Sequence, residues 1–125
     1  MCASCVVNES ALLIRISQYY RAGMSSEELY EVTRGVWVLG QKRSEVRYAL
    51  AIANGIVQEV YEVKSWHPAG TTPYQTRDKS DVSHPGRWEF VGCPAPAAIR
   101  DKYLDKSAAH YFKKGAANPV MYLNT

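Results

Sequence analysis

The dipeptide Asn54-Gly55, set between two alternating apolar runs, is the feature that most constrains how this chain folds. A type I′ turn needs positive φ at both central residues, which Asn and Gly tolerate best. Residues 48–53 and 56–68 flank it with the period of two that strands show. In the first run one face holds only alanines, at positions 49, 51 and 53. The sequence therefore predicts an antiparallel hairpin, with a helix or the far wall of a barrel packed closely on the small-residue face.

Shorter elements surround the hairpin. Ser25 or Ser26 is placed to cap a short helix with acidic residues in its first turn, and Gly35 to end it. Further strands are predicted at 11–17, 36–40, 87–92 and 118–124, and further helical turns at 41–47, 94–104 and 107–115. No βαβ rhythm is present. The pattern predicts an α+β fold: a small, curved, partly closed antiparallel β-barrel of five or six strands, with two or three short helices covering its ends.

The length of the chain and the spacing of its cysteines limit the number of domains and the kinds of metal site that it can have. The chain has 125 residues, enough for one domain, and we expect a flexible N-terminus over 1–10 and a single domain over 11–125. Cys2 and Cys5 form a C-x-x-C, but Cys93 stands alone and no second close pair completes a zinc site. Neither a metal nor another cofactor is predicted.

No apolar run approaches the ~20 residues of a membrane span, so we expect no membrane association. Three cysteines without a disulfide framework favour a reduced, cytoplasmic chain. A monomer is expected, or a weak homodimer if strand 11–17 or the final strand is an open edge.

Charge and aromatic content permit an anionic partner. The net charge is +3, modest for a nucleic-acid module, and the chain carries 9 Tyr and 3 Trp. Tyr and Trp combine an apolar body with a polar tip, which suits the walls of a groove as well as a core. Modest charge therefore favours a shaped pocket over a broad electrostatic surface.

The order and lengths of the elements over residues 11–123 resemble the PUA-like small barrels, the group that includes the ASCH, EVE and YTH families. The segments TRGVWVLG, SWHPAGTT, GRWEFVG and HYFKKGAANPVMYLN also resemble an uncharacterised prokaryotic family. The PUA-like resemblance implies binding of DNA or RNA, often of single strands or modified bases, in an aromatic pocket beside a basic surface.

Trp66 is the strongest candidate for a wall of such a pocket, because it ends a strand and faces the long polar loop at 69–86. Trp37 and Trp88, with Arg43 and Arg87 near them in sequence, are further candidates for base stacking and phosphate contact. For Trp37 and Trp88 a place in the core is the more ordinary interpretation, since each lies in an apolar or alternating strand.

Two basic groups are weaker candidates for phosphate contact. Arg34, Lys42, Arg43 and Arg47 would form a rim if the helix end and the 41–47 connector lie side by side. Lys114, with Tyr111 before it, lies in the last part of the helical turn predicted at 107–115, where lysines are also explained by a favourable interaction with the helix dipole.

Catalysis is the competing interpretation. A nuclease of restriction or defence type, or another enzyme on nucleic acid, would recruit His84, Asp81 and His67, or a metal-binding set of Asp78, Asp81 and Glu89. No spacing matches a nuclease signature, a nucleophile elbow or a phosphate-binding loop. A small-molecule or protein-interaction module is the third possibility. The sequence therefore favours a non-catalytic module that reads a stacked or extruded base.

Overall fold

A computed structural model describes residues 4–112 and 118–125. It has six strands, β1 (Ala11–Arg15), β2 (Gly35–Trp37), β3 (Tyr48–Ala53), β4 (Ile56–Pro68), β5 (Trp88–Pro94) and β6 (Val120–Leu123). Three helices lie between them, α1 (Ser26–Arg34), α2 (Lys79–Val82) and α3 (Ala97–Tyr103). Short 3₁₀ turns occur at Gln41–Glu45 and Ala109–Tyr111.

The strands form one sheet in the order β2-β5-β4-β3-β1-β6. It curls into a half-barrel, so the predicted α+β class and the small curved barrel are confirmed. One detail differs: β1 pairs parallel to β3, and the sheet is mixed instead of wholly antiparallel. The chain between these strands passes through α1 and β2, a crossover long enough to bring β3 back in the same direction as β1.

The hairpin forms where the sequence places it. Asn54 and Gly55 have φ of 54° and 76°, as a type I′ turn requires. The alanines of β3 are fully buried inside the curl, in a cluster that includes Tyr61 of β4 and Phe90 of β5. The expected close packing on this face is confirmed, because α1 and the curled sheet itself cover it.

Helix α1 begins and ends as predicted. Ser25 accepts a hydrogen bond from the Glu28 N–H while the Glu28 carboxylate accepts one from the Ser25 N–H, a capping box. Gly35 follows as the C-cap and starts β2. The apolar side of this short helix packs into the inner cluster, which supplies the tertiary support that a helix of nine residues needs.

From residue 4 onward the N-terminal segment contacts the rest of the domain. The Cys5 N–H donates to the Ser107 carbonyl at 3.0 Å, and Cys5 and Val7 are buried in the cluster on the outer face of the sheet. The Val7 N–H donates to the Tyr111 hydroxyl at 2.9 Å. Two buried apolar side chains and backbone pairing fix a segment whose sequence pattern showed no element.

Strands β2 and β6 are the two edges of the sheet. Strand β1 lies between β3 and β6, so the expectation that it could be an open edge is wrong, whereas the final strand is one. Within the part of the chain that the structure describes, no helix has the length and apolar character needed to cross a membrane.

Candidate nucleic-acid interface

The long polar loop after β4 is held by two buried glutamates. Glu89 of β5 is fully buried beneath it. Its Oε1 accepts from the Gly70 N–H at 2.8 Å and the Tyr74 hydroxyl at 2.9 Å. Its Oε2 accepts from the Thr72 N–H at 2.9 Å and from the Thr72 hydroxyl. Four donors thus satisfy a carboxylate that would otherwise be costly to bury.

Glu31 of α1 holds the next part of the loop in the same way. It accepts from the N–H groups of Gln75 and Thr76, each at 2.7 Å, and from the Thr76 hydroxyl at 2.6 Å. Arg77 then donates to the carbonyls of Glu31 and Gly35 at 3.0 and 2.6 Å. The loop is therefore fastened to α1 and β5 along residues 70–77.

Arg34 lies inside this network and not on a phosphate-binding rim, which corrects the sequence interpretation. It is 2% exposed, and its Nε donates to the Phe90 carbonyl at 2.8 Å. Its guanidinium lies 4.2 Å from the centroid of the Tyr74 ring and also donates to the Thr72 hydroxyl. The loop closes over the end of α1 and removes this cation from solvent.

The two buried glutamates make the fold sensitive to acid. Burial alone would raise the pKa of each, but the hydrogen bonds from Thr72 and Gly70 to Glu89, and from Thr76 and Gln75 to Glu31, lower both pKa values below the ordinary one. A carboxyl with a lowered folded-state pKa stabilises the fold above its unfolded pKa, and this contribution is lost as pH falls through the folded value. We expect the free energy of unfolding, measured in urea, to fall steeply below about pH 4. A stability independent of pH between neutrality and pH 3 would contradict this.

Two clefts meet at Tyr19, which is 46% exposed. The first, here termed the Trp37 cleft, has a volume of about 250 Å³ and lies where the edge strands β2 and β6 approach; its lining includes Arg15, Tyr19, Trp37, Arg87 and Val120. The second, the His84 cleft, has a volume of about 580 Å³ and its lining includes Tyr19, Arg21, Arg77, Asp78, Asp81 and His84. Tyr19 lines both, and the two neighbouring clefts are together called the groove.

The cations are unequally available along this groove. Arg87 is exposed, and within residues 4–112 and 118–125 its guanidinium makes no hydrogen bond, ion pair or ring contact. Arg15 donates to the Asn118 carbonyl at 2.7 Å and stacks on Phe112 at 4.4 Å. Arg21 pairs with Glu28. Arg87 is thus the cation best placed to meet a phosphate.

Trp37 and Trp88 lie opposite one another on β2 and β5. Trp37 is buried, and its indole N–H donates to the Thr33 carbonyl at 2.8 Å. It therefore packs in the core and also lines the Trp37 cleft. Trp88 is half-buried, and the Arg43 guanidinium lies 3.4 Å from its ring centroid. The Arg43 guanidinium covers one face of the Trp88 ring. The two residues are therefore close in space, but this face of the ring and this cation are used in their contact with each other.

Trp66, the strongest candidate from sequence, packs into the inner cluster. Its ring meets Phe90 edge-on, with centroids 5.4 Å apart, and it lines neither cleft. Strand β4 runs on to Pro68, so Trp66 still pairs with β5 and faces the interior. The sequence shows that an apolar pattern ends near Trp66, but it does not show that β4 continues to pair with β5 at this position.

The remaining predicted contacts are apart from this groove. Tyr111 packs on the outer face, where its hydroxyl accepts from the Val7 N–H. Lys114 lies outside the described residues. The sequence analysis missed Tyr19 and Arg15. A signal for Tyr19 was available in the sequence. The segment QYYRAG contains two adjacent tyrosines, and a turn does not require large aromatic side chains.

The alternative catalytic residues are only partly brought together. Asp81 and His84 share the His84 cleft, whereas His67 is bonded through Nε2 to the Ser65 hydroxyl at 2.8 Å on β4. Glu89 does not join Asp78 and Asp81, since its carboxylate is used inside the loop network. In the described ranges no three His, Cys, Asp or Glu side chains are grouped as metal ligands would be.

Comparison with known proteins gives no match: no family model, no curated protein and no solved structure is significantly similar to this chain. Function is therefore argued from the geometry of the groove.

Proposed function

We propose that this chain is a nucleic-acid-binding module that stacks one base at Tyr19 and meets the backbone with Arg87. The observation that carries the proposal is the groove itself: an exposed tyrosine joins two clefts whose lining includes four arginines. Bases stack on aromatic faces irrespective of sequence, and cations meet phosphates. A PUA-like barrel, a cytoplasmic location, DNA or RNA as the partner, and a monomer or weak homodimer belong to the same proposal.

The cleft volumes support one inserted ring and not a broad electrostatic surface. Small-molecule pockets usually measure ~300–1,000 Å³. The Trp37 cleft, at about 250 Å³, lies just below that range and suits a single flat ring, whereas the His84 cleft, at about 580 Å³, has room for a larger part of a nucleotide. A base extruded from a strand would reach such a site more readily than a paired one.

Tyr19→Ala is expected to weaken binding of a single-stranded oligonucleotide about tenfold or more, because stacking contributes ~1–3 kcal/mol per base. Arg87→Ala should weaken binding and lower the salt slope of log K by about 1, as loss of one phosphate contact does. Fluorescence anisotropy at two salt concentrations, with DNA and RNA and with single and double strands, measures both effects.

Tyr19→Phe and Arg47→Ala are the matched controls. The first keeps the ring, and the second removes an exposed arginine that lines neither cleft. Binding that is unchanged in Tyr19→Ala, or equally weakened by Arg47→Ala, would argue against the groove. If no oligonucleotide binds at low salt, the nucleic-acid proposal fails, and the groove is left to a small molecule or a partner protein.

An enzyme acting on nucleic acid is the second candidate, favoured by the presence of Asp81 and His84 in one cleft beside Arg77. An imidazole and a carboxylate in the same groove are the groups that acid–base cleavage of a phosphodiester would use. The oligonucleotides are therefore to be checked for cleavage with added magnesium. Cleavage that His84→Ala abolishes would replace the non-catalytic proposal by this one.

A further inference from the structure

A cleft between α1 and strands β4 and β5 has a different character from the groove. It has a volume of about 220 Å³, and its lining includes Glu27, Tyr30, Glu59, Tyr61 and Cys93. Among the described residues that line it there is no lysine, arginine or histidine. This Tyr61 cleft is acidic and aromatic, and nothing in the proposed nucleic-acid function uses it.

The hydroxyl of Tyr61 is available to bind a ligand. Tyr61 is only 2% exposed, yet within residues 4–112 and 118–125 its hydroxyl makes no hydrogen bond. The hydroxyl oxygen is not one of the fully buried polar atoms that lack a partner, so it stays accessible from the cleft that Tyr61 lines. Burial, together with the neighbouring Glu59 and Tyr30, raises the pKa of Tyr61, so the hydroxyl stays protonated and keeps its lone pairs available to a donor.

The charges of the cleft favour a cation. Glu59 is paired with Arg100, whose Nε lies 2.6 Å from Oε1, but Glu27 is exposed and has no ion pair in the described part of the chain. The N-terminus of α1 contributes only about half a positive charge, and the carboxylate of Glu27 outweighs it, whereas Glu28 is already paired with Arg21. An anion entering here would face unbalanced carboxylate.

Two aromatic rings add to this preference. The centroids of Tyr30 and Tyr61 lie 5.3 Å apart with the planes inclined by 51°, and both rings are in the lining. Aromatic faces attract ammonium groups, the more so when water is partly excluded. Carboxylates and aromatic rings together are the surroundings that an organic cation prefers.

We propose that the Tyr61 cleft binds a primary ammonium group, which donates hydrogen bonds to the carboxylates of Glu27 and Glu59 and to the Tyr61 hydroxyl. An ammonium carries three donors and no acceptor, and these three groups offer acceptors to match it. The volume is below the ~300 Å³ of common ligand pockets, which suits the end of an alkyl chain. A free alkyl amine and a lysine side chain share this chemistry.

Chemical-shift titration of the ¹⁵N-labelled chain tests the proposal. The probes are 1,5-diaminopentane, Nα-acetyl-lysine amide and tetramethylammonium, at matched ionic strength. We expect saturable shifts at the amides of Gly92 and Cys93 with the primary amines, and an affinity lower by about tenfold in Glu27→Gln and in Tyr61→Phe, since each removes one hydrogen bond to a charged group. Response to the diamine alone identifies a free amine; response to both also admits a lysine side chain.

Both variants should fold. Glu27 is exposed, and the Tyr61 hydroxyl has no hydrogen bond to lose. Glu45→Gln, at an exposed glutamate of the first 3₁₀ turn, is the control and should bind as the parent does. Absence of saturable shifts, equal binding of tetramethylammonium, or unchanged affinity in both variants would overturn the proposal. None of these outcomes bears on nucleic-acid binding.

Discussion

Glu89→Gln is expected to lower the free energy of unfolding by about 3 kcal/mol, because it leaves a buried backbone donor without an acceptor and replaces charge-assisted hydrogen bonds by neutral ones. The two carboxylate oxygens each accept two hydrogen bonds, from Gly70 and Tyr74 on one side and from Thr72 on the other. An amide keeps one oxygen and places an NH₂ group where the other was. The hydroxyl on that side can turn to accept from the NH₂ group, but the backbone N–H of Gly70 or Thr72 cannot accept and is left facing a donor, in a buried site.

Urea unfolding measures this loss, and limited trypsin digestion locates it. Cleavage after Arg77 should accelerate, since Glu89 fastens the part of the loop just before this residue. Glu62→Gln is the matched control on the neighbouring strand, where the carboxylate makes only a 3.7 Å pair with Lys64. A Glu89→Gln chain as stable as the control would mean that the loop is held by other contacts. The variant should also show a weaker loss of stability below about pH 4, since one of the two buried carboxyls is gone.

Gly92→Ala is the second change for which we expect a large effect, roughly 3 kcal/mol of lost stability. A Cβ atom at Gly92 would overlap the backbone carbonyl oxygen of Glu62 and lie 3.2 Å from its carbon and 3.4 Å from the Val63 Cα. Backbone atoms of a paired strand cannot turn away as a flexible side chain can. The methyl group must therefore push β4 and β5 apart at the bulge between Val63 and Ser65.

Gly40→Ala provides the control for this substitution, because nothing lies within 4 Å of a Cβ at Gly40 and its φ of −87° suits alanine. We expect thermal unfolding to show a large drop in Tm for Gly92→Ala and little change for Gly40→Ala. Equal melting temperatures for the two variants would mean that the strands separate at small cost. The Gly92 N–H also donates to the Tyr30 hydroxyl at 2.9 Å, so a displaced β5 should disturb the contact with α1.

The local elements were largely predictable from the sequence. The turn at Asn54-Gly55 and the cap at Ser25 each depend on the preferences of one or two residues. Alternation over 48–53 likewise indicated which side chains share a face. In β4 the period of two is interrupted by register shifts, and Val57 and Tyr61 lie on different faces. The alanine face correctly indicated close packing, since small side chains on a buried face require a near neighbour.

The site was less predictable, because adjacency in sequence does not give adjacency in space. Trp66 was chosen for its place beside a long loop, but continued pairing with β5 turns it against Phe90. Glu89 was considered as a metal ligand and Arg34 as a phosphate contact, but both are buried, because the loop at 70–77 folds back over them. Tyr19 was not predicted as a site residue, but it lines both clefts.

The sequence by itself determined the hairpin, the caps and the α+β class, since these follow from backbone preferences and short-range periodicity. Only the tertiary structure decided which polar residues are buried, which strands are edges and where the groove runs. The Trp37 cleft joins β2 to Pro119 and Val120 at the other end of the chain. Such a site exists only when the sheet has curled. Curling requires many long-range strand pairings at once, and no local pattern of residues specifies all of these pairings.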